Sequence, residues 1–259
     1  MRIDGKVVMI TGASGGIGAA CAREFTRRGA RLSLVARSED KLREVAGADS
    51  LVTAGDLTCA DVRRSLVERT LERFGGIDIL INNAGVGLYA PAWKAPLDEA
   101  HAMFELNFFA PLAMIQLVAP HMRERRSGTI VNIGSIAGKV TLPWFTLYSA
   151  TKFALGALTE GLRMELADAG IRTMIVCPGY VKTDFQNHAL VGRPPDRLLK
   201  GRMFAITPEQ CAEAVARGVE RDARTVVTPA IGWALVALQR VFPSLVEMQM
   251  RKIYKSEAQ

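Results

Sequence analysis

The sequence predicts an α/β protein built on a doubly wound parallel sheet, and three observations carry that prediction. Short apolar runs recur along the chain with helix-like segments between them, several runs are apolar on both faces, and a glycine-rich stretch, TGASGGIG at Thr11–Gly18, separates the first run from the first helix. Strands apolar on both faces belong between two layers of helices, where parallel sheets lie. Alternation of strand and helix over the whole length is the pattern of the doubly wound class.

The runs are, in order, KVVMIT, RLSLVA, SLVTA, IDILIN, GTIVNIGS, IRTMIVC and RTVVTP. After the first of them, Ile17, Cys21 and Phe25 fall at intervals of four on the sheet-facing side of a helix, Arg23, Arg27 and Arg28 lie elsewhere, and Gly29 stands where a C-terminal cap belongs. No linker, low-complexity block or internal repeat divides the chain, so residues 1–259 read as a single domain.

Two segments break the rhythm. Between Gly179 and Ile206 lie Lys182, Arg193, Arg197, Lys200, Arg202 and the turn pair Pro194 and Pro195, and residues 183–206 read as a lid over a substrate site. Residues 230–253 read as a C-terminal apolar helix, with Ile231, Leu235, Leu238, Phe242 and Leu245 on one face and Arg240, Ser244, Glu247 and Arg251 on another. Gln239 and Arg240 interrupt it too early for a membrane span. Packing on the core or on a partner subunit is the leading expectation, and peripheral membrane contact is the alternative.

Composition narrows the function. The 259 residues are 49% hydrophobic and 23% charged, ordinary for a packed globular chain, and Lys+Arg exceed Asp+Glu by 33 to 26. The basic residues are scattered, a pattern that suits an anionic small ligand as well as it suits nucleic acid, and the small ligand is the expected partner. Cys21, Cys59, Cys177 and Cys211 form no C-x-x-C pair, and His101, His121 and His188 have no metal-ligand spacing, so no metal is expected. The cysteines read as reduced, buried thiols of a cytoplasmic protein. The amino terminus runs into a strand with too short an apolar stretch for a signal peptide, so export is not expected.

TGASGGIG follows a strand and opens a helix, the position in which a dinucleotide pyrophosphate rests against backbone N–H groups and the positive helix end. By analogy Gly12 permits the turn, Gly16 admits phosphate to the backbone and Gly18 lets helix and strand approach. The spacing is G-x-x-x-G-x-G in place of G-x-G-x-x-G, and a glycine-rich turn without a ligand is the other reading. The second strand ends LVARSED, placing Arg37 where this fold reads the adenosine ribose. Guanidinium pairs bidentately with a 2′-phosphate, so NADP(H) is expected over NAD(H).

YSATK sets Tyr148 and Lys152 four positions apart, on one face of a helix. A phenol can give a proton to a carbonyl oxygen as hydride arrives, and a neighbouring ammonium is expected to lower its pKa so that it also works as a base. Ser135, thirteen residues earlier at a strand end, is placed to hold the substrate oxygen. Asn107 precedes Pro111 by four, so the missing N–H releases the Asn107 carbonyl and a kink is expected.

The ordered series TGASGGIG, GDL with Asp56, NNAG at Asn82–Gly85, Asn107, Ser135, YSATK, and Pro178 and Gly179 followed by Thr183 resembles the short-chain dehydrogenase/reductase family, over nearly the full chain to about Val227. The resemblance implies a Rossmann fold and a carbonyl reductase or alcohol dehydrogenase, with Asn107, Ser135, Tyr148 and Lys152 as the catalytic set. It further implies a water linking Asn107 to Lys152, a bond from Lys152 to the nicotinamide ribose, and one from Asp56 to the adenine amino group. Asn83, Ala84 and Gly85 would line the adenosine, and Val181 and Thr183 would meet the carboxamide. Ser14, Gly15, Ile17, Leu57, Pro178 and Gly179 would complete the cofactor contacts. Gly15 departs from the basic residue that many NADP-using relatives carry there, leaving Arg37 as the main phosphate reader. For Asn82 a structural role at the strand end is preferred.

Val86, Leu88, Trp93, Leu142, Trp144, Phe145 and Tyr180 are the candidate pocket residues, and their apolar character favours a hydrophobic carbonyl or alcohol. A 3-oxoacyl-carrier substrate, or a non-catalytic NADP-binding or membrane-surface role, is the alternative. Leu155, Leu158 and Leu162 on one side of the YSATK helix and Phe153, Ala157 and Met164 on another predict contact with both the sheet and a second subunit, in a homodimer or homotetramer.

Overall fold

The computed structural model describes residues 1–193 and 204–257. Each apolar run becomes a strand: β1 Val7–Thr11, β2 Arg31–Ala36, β3 Leu51–Ala54, β4 Ile79–Asn82, β5 Gly128–Ile133, β6 Ile171–Pro178 and β7 Thr225–Thr228. They pair in parallel in the order β3-β2-β1-β4-β5-β6-β7. The helices are α1 Gly16–Arg27, α2 Glu39–Val45, α3 Ala60–Phe74, α4 Leu97–Phe104, α5 Ala110–Glu124, α6 Thr146–Glu165, α7 Pro208–Glu220, α8 Gly232–Val241 and α9 Pro243–Glu257.

Successive strand residues point to opposite faces, so β1 divides its side chains between two cores. Val8 and Ile10 join Cys21 and Phe25 of α1 and Val215 and Val219 of α7. Met9 joins Leu66 of α3, Met114 and Val118 of α5, and Leu162 of α6. Because the connections leave β1 and β4 in opposite directions, the loops after these two neighbours diverge and open a crevice at the carboxyl edge of the sheet.

Most polar side chains inside the sheet are paired, although Asn82 Oδ1 is buried without a partner. Asn82 donates to Asn132 at 2.9 Å, and Asn132 donates to Thr159 of α6 at 2.9 Å, which fits the structural role expected for Asn82. At the amino edge the buried Asp78 carboxylate accepts from the Val7 N–H at 2.9 Å and pairs with Arg125 at 2.8 Å and Lys6 at 3.7 Å.

Several expectations need correction. The apolar segment at 230–253 is two helices, because Pro243 has no N–H to continue α8 and instead begins α9. Of the expected face, Ile231, Leu238, Phe242 and Leu245 are exposed and Leu235 is half-buried, while Val236 and Val246 turn inward. Most of that face therefore does not pack on the chain's own core. Cys59 is exposed at the start of α3, unlike the other three cysteines, since it precedes the helix outside both cores. In the lid, Pro194, Pro195, Arg197, Lys200 and Arg202 lie outside the described residues. The two ends of that segment are tied down, with Leu190 N–H on Gly87 O at 2.9 Å and Ile206 N–H on Tyr180 O at 3.0 Å.

Asp78→Leu leaves a buried backbone N–H and two cations without their acceptor. We expect it to lower unfolding stability by about 3 kcal/mol, read as a lower denaturant midpoint at unchanged slope.

Candidate active site

The crevice is a cavity of about 980 Å³ running along the carboxyl edge of the sheet. At one end stand Arg37, Ser38 and Lys41 with Asp56, Leu57 and Thr58; the middle is floored by Gly12, Ser14, Gly15, Gly16 and Ile17 against Asn83, Ala84 and Gly85. Ser135, Tyr148 and Lys152 face Pro178, Gly179, Val181 and Thr183 at the far end. One cavity thus collects nearly every residue singled out from the sequence.

The glycine-rich loop after β1 is held from beneath. Gly12 has φ +65°, and a Cβ on Gly18 would lie 2.2 Å from the Gly12 carbonyl oxygen, so α1 approaches the loop more closely than any side chain allows. Asn83 donates through its amide to Thr11 O at 2.9 Å and Gly12 O at 3.1 Å, stapling the end of β4 to the loop. Its side-chain N–H groups are therefore committed to the loop while the residue lines the cavity. Gly18 does not itself line the cavity: it stands behind Gly12, in the packing role expected for it.

At the Arg37 end, one oxygen of Asp56 accepts from the Thr58 N–H at 2.9 Å and hydroxyl at 2.8 Å. These bonds, helped by the nearby Arg37 charge, hold the carboxyl below its usual range, so it is an ionised acceptor. Lys41 adds a second cation beside Arg37, which sequence reasoning passed over because it reads as an ordinary exposed residue of α2.

At the other end Tyr148 and Lys152 are both buried on α6, one turn apart. Lys152 Nζ donates to the Ile133 carbonyl at 3.0 Å and lies 5.6 Å from the Tyr148 ring centroid. The Ser135 side chain accepts from Ala137 N–H at 3.1 Å, which fixes its oxygen beside the Tyr148 phenol. Asn107 is fully buried behind the wall; its Oδ1 accepts from Val86 N–H and its Nδ2 donates to Val86 O, both at 2.9 Å, and to Thr151 Oγ1 at 3.2 Å. A Cβ on Gly85 would sit 3.1 Å from Asn107 Oδ1 and 3.6 Å from Lys152 Nζ, so the two groups converge on one spot. The expected kink is a π-helical turn, Glu105–Phe109, between α4 and α5, which widens the helix just before Pro111 removes a donor.

Burial overrides the expected electrostatics. It pushes the Tyr148 phenol well above the ordinary 10.0, opposed only by the Ser135 bond, and pulls Lys152 from 10.5 down to about 8. The ammonium was expected to lower the phenol, but it is directed at the Ile133 carbonyl, and removing phenolate from water costs more than its field returns. The phenol is a protonated group beside the Ser135 hydroxyl.

Of the candidate pocket residues, Val86, Phe145 and Tyr180 line the cavity, joined by Tyr89, Phe185, His188 and Leu190. Leu88 is in the core instead, Trp93 is exposed under Lys94, and Leu142 and Trp144 stand outside the lining.

A family model described as short chain dehydrogenase matches residues 6–191. The chain is 39% identical over 223 residues to an uncharacterized oxidoreductase of Staphylococcus saprophyticus, covering 83% of this chain and 89% of that one. Among solved structures it resembles a short-chain dehydrogenase/reductase from Burkholderia phymatum in complex with NAD, at TM-score 0.85 and 27% identity over 96% of each chain. It also resembles a short-chain dehydrogenase from Burkholderia cenocepacia in complex with NADP, at TM-score 0.81 and 28% identity over 96% of this chain and 99% of that one.

Lys152→Met tests the buried ammonium. Below about pH 8 both folded and unfolded chains hold the Lys152 proton, and the burial cost is fully present; between about 8 and 10.5 only the unfolded chain holds it, so parent stability rises. Thermal melting should show the variant more stable at neutral pH by about 1–3 kcal/mol, with the gap closing as pH climbs through that window.

Proposed function

The chain belongs to the short-chain dehydrogenase/reductase family, and from that premise we propose that it is an NADP(H)-dependent oxidoreductase interconverting a hydrophobic ketone or aldehyde and the corresponding alcohol. The observation that carries this reading is the meeting of Tyr148, Lys152 and Ser135 in one cavity with a glycine-floored groove that ends at Arg37. The groove fits a dinucleotide: its floor presents the backbone where α1 begins, and its far end sets Arg37 and Lys41 in the same cavity as the ionised Asp56. When bound, the nicotinamide supplies or accepts the hydride.

The chain's own residues orient the substrate and move the proton. Ser135, its oxygen fixed by Ala137 N–H, has a hydroxyl proton to give to the carbonyl oxygen. Tyr148, protonated and buried, donates to that oxygen as negative charge develops on it. Lys152 keeps an ammonium at hand to stabilise the phenolate left behind, and Asn107 braces the far wall through Val86 and Thr151. The apolar lining of Val86, Tyr89, Phe145, Phe185 and Leu190 excludes water and favours a hydrophobic carbonyl compound over a charged one.

Arg37 and Lys41 support NADP(H) as the preferred dinucleotide, because a 2′-phosphate gives both cations a partner that a bare ribose does not. The exposed Phe153 and Met164 on the outer side of α6 support a homo-oligomer formed through that face. The outward ridge of α8 and α9 supports a further contact, with a second copy ahead of a lipid surface; cosedimentation with vesicles, with and without residues 230–259, separates the two.

Tyr148→Phe should reduce kcat for NADPH-driven reduction across a panel of hydrophobic ketones by about 10²–10⁴-fold while dinucleotide binding persists. Equal rates on every ketone turned over would refute the acid role. Arg37→Asp should shift the ratio of kcat/KM for NADPH over NADH by about 10–100-fold toward NADH, the worth of one or two charge-assisted hydrogen bonds. An unmoved ratio removes Arg37 as the phosphate reader.

A further inference from the structure

Tyr148 lies at the end of a stack of rings. Phe145, nearly buried at the start of α6, is stacked on the Tyr148 ring with centroids 4.1 Å apart and planes at 16°. The other face of Phe145 lies on Tyr89 at 4.5 Å and 1°. Phe185 meets Tyr148 edge-on at 5.8 Å and 63°. The phenol is thus bounded by one ring face and one ring edge, with Phe145 itself wedged between two rings.

The chain fixes Phe145 with care. The preceding residue, Trp144, has φ +64°, a left-handed conformation costly for a bulky side chain and kept only where the surroundings enforce it. Its carbonyl accepts from the Ala90 N–H at 2.9 Å, joining this turn to the segment that carries Tyr89. Its ring rests against Tyr254 of α9 at 5.8 Å, and its indole N–H is buried without a hydrogen-bond partner. Phe145 N–H donates to Leu142 O at 3.1 Å and Phe145 O accepts from Ser149 N–H at 2.8 Å, so its backbone is held on both sides. A Cβ on Gly87 would lie 3.3 Å from the Phe145 ring, leaving the ring little room to retreat.

From this geometry we infer that Phe145 is a positioning residue for the proposed reaction: its ring, gripped between Tyr89 and Tyr148, holds the Tyr148 phenol at one orientation relative to Ser135 and Lys152. The inference rests on the reading of Tyr148 as the acid, and it adds a residue that touches the acid through its ring face. A ring sliding against a flat neighbour keeps its plane but cannot tip out of it, so the phenol oxygen is confined to the plane set by the Phe145 face. Reactions of this kind lose rate steeply when the reacting atom is displaced by about 1 Å. Phe145 also keeps water off one face of the phenol, and so contributes to the burial that keeps it protonated.

The test compares Phe145→Leu and Phe145→Tyr with the parent and with Tyr148→Phe, using the full chain with NADPH and a hydrophobic ketone that the parent reduces. Melting temperature establishes folding, and kcat and KM are followed against pH. Phe145→Leu should lower kcat by about 10–100-fold with little change in KM. The alkaline fall in its reductive kcat should move to lower pH, because water admitted to the phenol face favours phenolate. Phe145→Tyr, which keeps the stacked ring, should restore both kcat and the parent profile. A folded Phe145→Leu with the parent's kcat and profile overturns the inference, as does a loss confined to KM, or equal damage in the leucine and tyrosine variants. Should Phe145→Leu fail to fold, Tyr89→Leu removes only the outer ring: a smaller fall in kcat with the same alkaline displacement supports the grip, and an unchanged profile overturns it. If Tyr148→Phe itself matches the parent, the proposed function falls; if it is inactive while Phe145→Leu is unaltered, only the role of Phe145 does.

Discussion

Burial of the Tyr148 phenol beside the Lys152 ammonium is the constraint on which the rest of this structure depends. Two ionisable heads are taken out of water on one helix face, and each responds by favouring its neutral form. The arrangement survives because the surroundings supply part of what water would have given: the Ile133 backbone carbonyl for the ammonium and the Ser135 hydroxyl beside the phenol. Both partners come from the carboxyl end of β5 and the turn that follows it, so the sheet edge does more than mark a crevice. It provides the polar atoms that make a buried acid tolerable.

The same economy of position governs the other end of the groove. The loop after β1 reaches the floor because Gly18 lets α1 come against the Gly12 carbonyl, and Asn83 ties that loop to the strand next to it. Arg37 and Asp56 then close the far end from β2 and β3. A single topological feature, the divergence of the connections around β1 and β4, sets both ends along one line.

Much of this was legible in the residues. All seven apolar runs became strands because a run that is hydrophobic on both faces has few places to go except the middle of a sheet. The spacing of Tyr148 and Lys152 put them on one helix face, where they are found. What was not legible depended on depth and on loops. The direction of the Tyr148 shift could not be read from four-residue spacing, since it follows from how completely the pair is enclosed. Tyr89 and Phe185 were passed over because the first sits in a loop and the second in a short 3-10 turn, neither with enough periodicity to say which way it faces. Pro243 did carry a readable signal for the break between α8 and α9; the apolar spacing on either side of it concealed that signal, and periodicity alone cannot say whether an apolar face has a partner.

The central claim is that enclosure, more than the neighbouring cation, sets the protonation of Tyr148. Tyrosinate absorbance followed against pH in the parent and in Tyr148→Phe isolates this one phenol by difference. The account predicts that the difference ionises above the ordinary value of 10.0. Ionisation of Tyr148 below that value would contradict it, and would return control of the phenol to the Lys152 charge.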